Sequence, residues 1–127
     1  MSDSQAIQSD LIGLLATSNG SGPLWATETD DLDCTFVSWK KGEGVVSHVN
    51  SEVDVLMIVL SGLGEALIGS EAFVLERGKV VMIPKGLARE ITAQGDGLAY
   101  LNVHKRRKRL GLGDAHDRLA GQQSLRP

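Results

Sequence analysis

The sequence predicts an all-β domain that follows one short helix. Apolar and β-branched residues occur in short runs bounded by Gly, Asn or Ser, a spacing typical of β-sandwiches and small barrels. The 127 residues suffice for one domain that buries its own core. No segment repeats another, so we expect a single barrel rather than two in tandem.

Residues 1–23 are predicted to form the helix and a linker. Apolar residues between Ser4 and Thr17 fall near helical spacing, and Ser2 or Ser4 is available as the N-cap. The segment Asn19–Pro23 combines glycines with a proline and must end the helix. We expect an appendage that lies across the barrel or against a second subunit.

Residues 24–109 are predicted to form the barrel. Alternation in the second strand places Asp33, Thr35 and Val37 on the face opposite to Leu32, Cys34 and Phe36. The segments 61–64 and 68–70 look like hairpin connections, and 94–97 separates the last two strands. The predicted strands are 24–27, 32–39, 45–50, 53–60, 65–68, 73–76, 79–83, 89–92 and 98–104.

Residues 110–127 mix Gly, Asp, Gln and Arg with little periodicity. We expect this tail to be partly ordered at best.

The net charge of −3 conceals a basic run near the end of the barrel. Lys105–Arg109 carries +5, which leaves −8 for the rest of the chain. An acidic bulk argues against nucleic acid as a partner, and we expect the basic run to be a solvated face.

Cysteine usage and hydropathy indicate the compartment. The single cysteine, Cys34, cannot form an internal disulfide, and the first residues lack the pattern of a secretory signal. No apolar run reaches the roughly 18 residues that span a bilayer. We therefore expect a cytoplasmic protein that has no membrane partner.

Two glycine-bounded blocks carry a family resemblance. The first runs from Gly42 through His48 to Gly62, and the second runs from Gly78 through Pro84-Lys-Gly86 to Arg89. Both resemble the signature motifs of the cupin superfamily, whose fold is a double-stranded β-helix, or jelly-roll barrel. The first motif is Gly, five residues, His-x-His, three or four residues, Glu, six residues, Gly. The second is Gly, five residues, Pro-x-Gly, two residues, His.

The glycine and proline frame of both motifs is complete here, but the metal ligands are not. The positions of His, His, Glu and His are occupied by His48, Asn50, Val55 and Arg89. Valine cannot ligate a metal, and arginine stays protonated. Unit charges about 4 Å apart in a partly buried site repel by roughly 4 kcal/mol, and a divalent ion feels more. We expect a pocket without a cofactor that prefers an anion or a polar ligand such as a carboxylate or a sugar.

The predicted ligand-binding residues are His48, Asn50, Arg89 and His104. Residues two apart on a strand share a face, so His48 and Asn50 project together, and His104 is a second interior candidate. The alternative is a divalent metal ion such as Mn, Fe, Ni or Zn on His48, Asp54 and His104. It requires a bulge that turns Asp54 inward, whereas alternation from an inward Val55 predicts that Asp54 points outward.

Three functions remain open at this stage. The first is a small-molecule binding module without catalysis. The second is an enzyme in the same pocket, either a metal-dependent dioxygenase or isomerase, or a metal-free epimerase or isomerase with His48 as general base. The third is a regulatory protein that binds a partner through Lys105–Arg109. The resemblance also implies a homodimer formed by exchanging or pairing edge strands.

Overall fold

One short helix precedes eight strands in the computed structural model, which describes residues 5–107 and the backbone of 125–126. The rest of the predicted tail and of the basic run lies outside these residues. The prediction of an all-β barrel with a short N-terminal helix is confirmed. The elements are α1 Leu11–Thr17, β1 Gly22–Glu28, β2 Leu32–Trp39, β3 Gly44–Val49, β4 Val55–Ile68, β5 Glu71–Glu76, β6 Val80–Ile83, β7 Ala88–Lys105 and β8 Leu125–Arg126.

The helix α1 is shorter than the sequence pattern predicts. It begins after Asp10, whose side chain accepts a hydrogen bond of 3.0 Å from the Gly13 N–H, so the cap is Asp10 and not a serine. It ends at Thr17, with Ser18 as the C-cap, before the predicted breaker cluster. None of its residues is buried, and it contacts β1. No helix in the described part of the chain is long and apolar enough to cross a membrane.

Two long strands, β4 and β7, build the barrel because each of them runs through both of its walls. The carboxyl-terminal part of β7 pairs with β2, and its first part pairs with β3. The strand β4 pairs with β7 along its length, with β6 at its start and with β5 at its end. Sheet one is therefore β1-β2-β7-β4-β6, and sheet two is β8-β3-β7-β4-β5.

The prediction that 61–64 is a hairpin connection is wrong. The chain bends there without reversing, because Gly62 has a φ of +86° and the register with β7 shifts on both sides of it. The bend is also a close crossing of two backbones, since a Cβ on Gly62 would overlap the carbonyl oxygen of Gly97. The connection at 68–70 is a true hairpin, with Ile68 opposite Glu71.

β1 begins at Gly22, inside the predicted linker, and β7 ends at Lys105. At the end of the predicted tail, Leu125–Arg126 pair with Gly44 and Val45 of β3.

The space between the sheets is apolar at one end and polar at the other. The inward positions of β7 are Leu98, Tyr100, Asn102 and His104. Over these four alternate positions the wall changes from hydrocarbon to hydrogen-bonding groups. Apolar side chains from both sheets fill the first end and supply the main hydrophobic stabilisation. Its largest fully buried side chains are Met57, Val59, Leu75, Ile83, Ile91, Leu98 and Tyr100.

Candidate ligand-binding site

A cavity of about 340 Å³ lies between the two sheets at the polar end of the barrel. Sheet one supplies Asp33 and Thr35 from β2 and Asn102 and His104 from β7. Sheet two supplies His48 from β3 and Arg89 from β7, which are direct neighbours across the strand pair. The structure thus brings His48, Asn50, Arg89 and His104, the four predicted ligand-binding residues, to one cavity.

Arg89 carries a buried positive charge that faces this cavity. The residue is 7% exposed, and its Nε and Nη2 atoms are buried without a hydrogen-bond partner among the described residues. Burial lowers the pKa of the guanidinium, and the neighbouring charge of Arg107 lowers this pKa further. Buried polar groups in folded proteins are normally paired, and leaving a charged one unpaired costs several kcal/mol. Arg89 Nε and Nη2 can therefore donate to an acceptor that enters the cavity.

Tyr100 adds a hydroxyl donor near Arg89. The Trp39 Nε1–H donates a 2.9 Å hydrogen bond to the Tyr100 hydroxyl oxygen. Burial raises the pKa of Tyr100 to about 12, although that hydrogen bond and the Arg89 charge both act to lower it. The hydroxyl accordingly keeps its proton at neutral pH, and it can donate while it accepts from Trp39.

Asn102 places an acceptor in the same wall. Its Oδ1 atom is buried without a hydrogen-bond partner among the described residues, and the residue faces Thr35 across the β2–β7 pair. A ligand that satisfies both Arg89 and Asn102 must offer an acceptor to one and a donor to the other.

The two histidines expose the same ring nitrogen. His48 Nδ1 lies 2.9 Å from the Val46 carbonyl oxygen, and His104 Nδ1 lies 2.8 Å from the Lys105 carbonyl oxygen. A carbonyl can only accept, so Nδ1 is the protonated nitrogen in each ring. In the neutral form, Nε2 then keeps a lone pair as acceptor or base.

Arg107 and Glu52 form an ion pair among the residues that line the cavity. The Arg107 Nε lies 3.3 Å from a Glu52 carboxylate oxygen, and the Arg107 side chain is only 18% exposed. The pair joins the loop that precedes β4 to the residues that follow β7.

Two residues of the basic run, Arg106 and Arg107, depart from the solvated face that the sequence suggests. Arg107 lines the cavity, and Arg106 is paired with Glu28 and Asp30 and donates to the Thr29 carbonyl. Acidic residues in neighbouring loops draw both guanidinium groups inward, and such long-range pairs leave no local signal in the sequence. Lys105 is exposed, and 108–109 lie outside the described residues.

Asn50 and Val55 have mainly structural roles. The Asn50 side-chain oxygen accepts from the Glu52 N–H at 2.9 Å and from the Val53 N–H at 3.4 Å, which shapes the loop before β4. Its carbonyl oxygen accepts from Gly86 of the Pro84–Gly86 turn at 2.8 Å. Val55 is 3% exposed and presents hydrocarbon at the position where the cupin motif has a carboxylate.

The alternative metal set of His48, Asp54 and His104 is not assembled. Asp54 is exposed, lies outside the cavity wall and accepts a 2.9 Å hydrogen bond from the Lys85 N–H. Strand alternation from the inward Val55 directs it outward, without the bulge that the metal site requires. Within residues 5–107, no group of three or more His, Cys, Asp or Glu side chains is placed to hold a metal ion.

Sequence reasoning did not identify several cavity residues. The period of two that singled out His104 extends to Asn102 and Tyr100, and the same period in β2 groups Asp33 with Thr35. These signals were in the sequence. No local sequence signal indicates that Arg107 approaches the cavity, because this position depends on the ion pair with Glu52 from a distant loop.

An antiparallel barrel whose sheets share two long bent strands, with a polar cavity at one end, is the cupin fold, also called a double-stranded β-helix. No family model matches the sequence. No curated protein matches it either. Solved structures do match the fold, and they include proteins described as cupins and a protein described as having a double-stranded β-helix domain.

A cupin protein from Bacteroides fragilis has 23% sequence identity and a TM-score of 0.55, and the match covers 59% of this chain and 65% of that one. A double-stranded β-helix protein from Klebsiella pneumoniae has 20% identity and a TM-score of 0.66 over 80% and 90% of the two chains. A cupin-2 domain protein from Shewanella frigidimarina has 21% identity and a TM-score of 0.66 over 77% and 94%. This chain has the cupin fold, and these likenesses assign it no activity.

Proposed function

We propose that this protein binds a small organic carboxylate inside the barrel, with Arg89 as its charge partner. The observation that carries the proposal is the Arg89 guanidinium, buried with two nitrogen atoms lacking a hydrogen-bond partner in the described chain. A carboxylate has two oxygen atoms whose spacing matches two nitrogens of a guanidinium, and this pairing gives strong, directional hydrogen bonds.

The charges nearest to Arg89 favour an anion at this point, whereas the carboxylate of Asp33 lines the cavity from the other sheet. No carboxylate is among the groups that shift the Arg89 pKa, whereas the second cation, Arg107, is. Glu52 is already engaged by Arg107. An incoming carboxylate therefore meets one unneutralised charge in a partly desolvated site, where the attraction is several times stronger than in water.

The remaining polar groups indicate that the carboxylate carries hydroxyl groups. Asn102 Oδ1 is buried without a partner in the described chain, and the two histidine Nε2 atoms can also accept, so donor groups on the ligand would match this wall. Val55 and Met57 supply an apolar surface beside them. A volume of about 340 Å³ lies at the lower end of the range for small-molecule sites, which suits a hydroxy acid or a sugar acid.

A second candidate function is acid–base isomerisation or epimerisation of the same ligand. It is favoured by the two imidazoles, which hold their Nε2 lone pairs fixed through the Nδ1 hydrogen bonds. A base at Nε2 that removes a proton next to the carboxylate would form an enolate, and Arg89 would stabilise its charge. Both candidate functions require no cofactor. The competing hypothesis, a divalent metal ion bound in the cavity, is tested in the same experiment.

A thermal-shift screen tests the proposal. The probes are glycolate, malate, gluconate and glucuronate, each compared with its primary amide, and separately Mn²⁺, Fe²⁺, Ni²⁺ and Zn²⁺. We expect at least one carboxylate to raise Tm while its amide does not. Stabilisation by a metal ion with no response to any carboxylate would overturn the proposal.

Proton exchange separates binding from catalysis. In D₂O, an isomerase would exchange the hydrogen next to the carboxylate of the bound acid, as seen by proton NMR, and His48→Gln or His104→Gln would slow the exchange. A pure binding protein would leave that hydrogen in place.

A further inference from the structure

Arg107 gives the cavity a second cation, which a carboxylate on Arg89 alone does not use. The two arginines lie at opposite ends of β7: Arg89 is in the part that pairs with β3 in sheet two, and Arg107 follows the part that pairs with β2 in sheet one. Because β7 runs through both walls, both side chains line the same cavity, and the charge of Arg107 lowers the pKa of Arg89. One ligand in this cavity can therefore meet both cations.

The Arg107 guanidinium is incompletely paired. Its Nε atom is buried and makes no hydrogen bond within the described chain, although a Glu52 carboxylate oxygen lies 3.3 Å away. Glu52 therefore offsets the charge of Arg107 without satisfying this N–H. Because a buried N–H without an acceptor is destabilising, an acceptor with better alignment is favoured at this position.

Glu52 can leave Arg107 at little cost. The Glu52 side chain is 56% exposed, so water can solvate its carboxylate once it is released. The loop backbone does not depend on the pair, because the Glu52 N–H donates to Asn50 Oδ1 at 2.9 Å. Glu52 thus shows that a carboxylate can lie beside Arg107, and a carboxylate of the ligand can take its place.

The rest of the cavity wall limits where a second negative charge fits. Asp33 lines the cavity from β2, and Asn102 presents an acceptor oxygen from the neighbouring strand of the same sheet. A second carboxylate would be repelled by Asp33, whereas hydroxyl groups of the ligand could donate to either residue. Among the described residues that line the cavity, the permanent cation besides Arg89 is Arg107.

We propose that the ligand of this cavity is a short dicarboxylic acid, held by Arg89 through one carboxylate and by Arg107 through the other, which displaces Glu52. This inference rests on the proposed function, because it takes Arg89 as the partner of the first carboxylate. It makes Arg107 a specificity-determining residue, since a monocarboxylate leaves the pair of Arg107 and Glu52 in place.

Isothermal titration with matched ligands tests the proposal. Succinate, malate and glutarate are each compared with the corresponding monoamide, which has the same chain but only one carboxylate. At least one dicarboxylate should bind wild type about tenfold more tightly than its monoamide, because the second carboxylate gains charge-assisted hydrogen bonds and replaces a weak ion pair. Inorganic phosphate is the third probe.

Arg107→Gln should abolish this preference by weakening the dicarboxylate alone, and Arg107→Lys should restore part of it because it keeps the charge. The matched control is Arg106→Gln, because Arg106 pairs with Glu28 and Asp30 outside the cavity, and both affinities should stay unchanged. Glu52→Gln should increase the preference for the dicarboxylate, and it tests the proposal if Arg107→Gln does not fold.

The outcomes separate this inference from the proposed function. Equal binding of each dicarboxylate and its monoamide, or a preference that persists in Arg107→Gln, would overturn the dicarboxylate assignment and leave the carboxylate site in place. Binding of gluconate or glucuronate but of none of the three dicarboxylates would do the same. Phosphate that binds more tightly than every dicarboxylate, and more weakly in Arg107→Gln, would assign the second cation to a phosphate group. No response to any carboxylate would overturn both proposals.

Discussion

Replacing Arg89 with methionine should stabilise the protein in the absence of ligand. Methionine keeps an unbranched apolar stem of similar length but removes a buried charge whose Nε and Nη2 atoms have no partner among the described residues. It also removes the repulsion from Arg107 that helps to lower the Arg89 pKa. An unsatisfied buried polar group costs about 1–3 kcal/mol, so the free energy of unfolding should rise by roughly 2 kcal/mol.

For a domain of this size, about 2 kcal/mol corresponds to an increase in Tm of roughly 8 °C. Urea unfolding and calorimetry without ligand would measure both quantities. The matched control is Arg77→Met, because Arg77 lies exposed in the turn after β5 and should change stability by no more than about 0.5 kcal/mol.

A carboxylate ligand should reverse the order of the two proteins, since it stabilises wild type and not Arg89→Met. Loss of stability in Arg89→Met, with Arg77→Met unchanged, would refute the reasoning. It would mean that Arg89 is already satisfied within the folded chain.

Three further predictions concern the cavity and the barrel frame. Tyr100 is the only tyrosine, so absorbance at alkaline pH should show ionisation near pH 12 rather than 10. Because its pKa is raised on folding, its contribution of roughly 3 kcal/mol to stability is complete below pH 10 and is lost between pH 10 and about 12. Ionisation near pH 10 in folded protein would contradict the burial of its hydroxyl. Glu52→Gln should tighten carboxylate binding in calorimetric titrations, because it removes the ion pair that engages Arg107. The same change should alter the free energy of unfolding by less than about 1 kcal/mol. Weaker binding would show that the ion pair organises the site. Gly78→Ala should lower the free energy of unfolding by roughly 1–2 kcal/mol, and Gly62→Ala should lower it by well over that amount. Both glycines have positive φ, but only a Cβ at Gly62 would overlap another backbone segment. Equal losses in the two variants would count against the close crossing.

The sequence predicts the barrel well because strand alternation and turn residues are local properties. The two motif blocks place His48 and Arg89, and the period of two in β7 places His104, among the residues that line the cavity. The continuity of β4 through 61–64 could not be recognised, because the same glycines suit a hairpin and a bulged bend. The neighbouring strand, not the local sequence, decides between the two.

The charges of the site were harder to predict than its position. Arg106 and Arg107 belong to a basic run that is typical of a solvated surface, and acidic residues distant in the sequence draw them inward. Asp54 shows the opposite case, because alternation alone fixes its outward direction and removes it from the metal set.

The most direct test of the central claim is isothermal titration of the carboxylate that gives the largest shift in Tm. The titration compares wild type, Arg89→Gln and the matched control Arg77→Gln, with the primary amide of the same acid as the second ligand. We predict that wild type and Arg77→Gln bind the carboxylate equally. Arg89→Gln should bind it about 100-fold more weakly, a loss of roughly 3 kcal/mol for two charge-assisted hydrogen bonds. An unchanged Kd in Arg89→Gln, or equal binding of the amide by wild type, would contradict the assignment of Arg89 as the carboxylate partner.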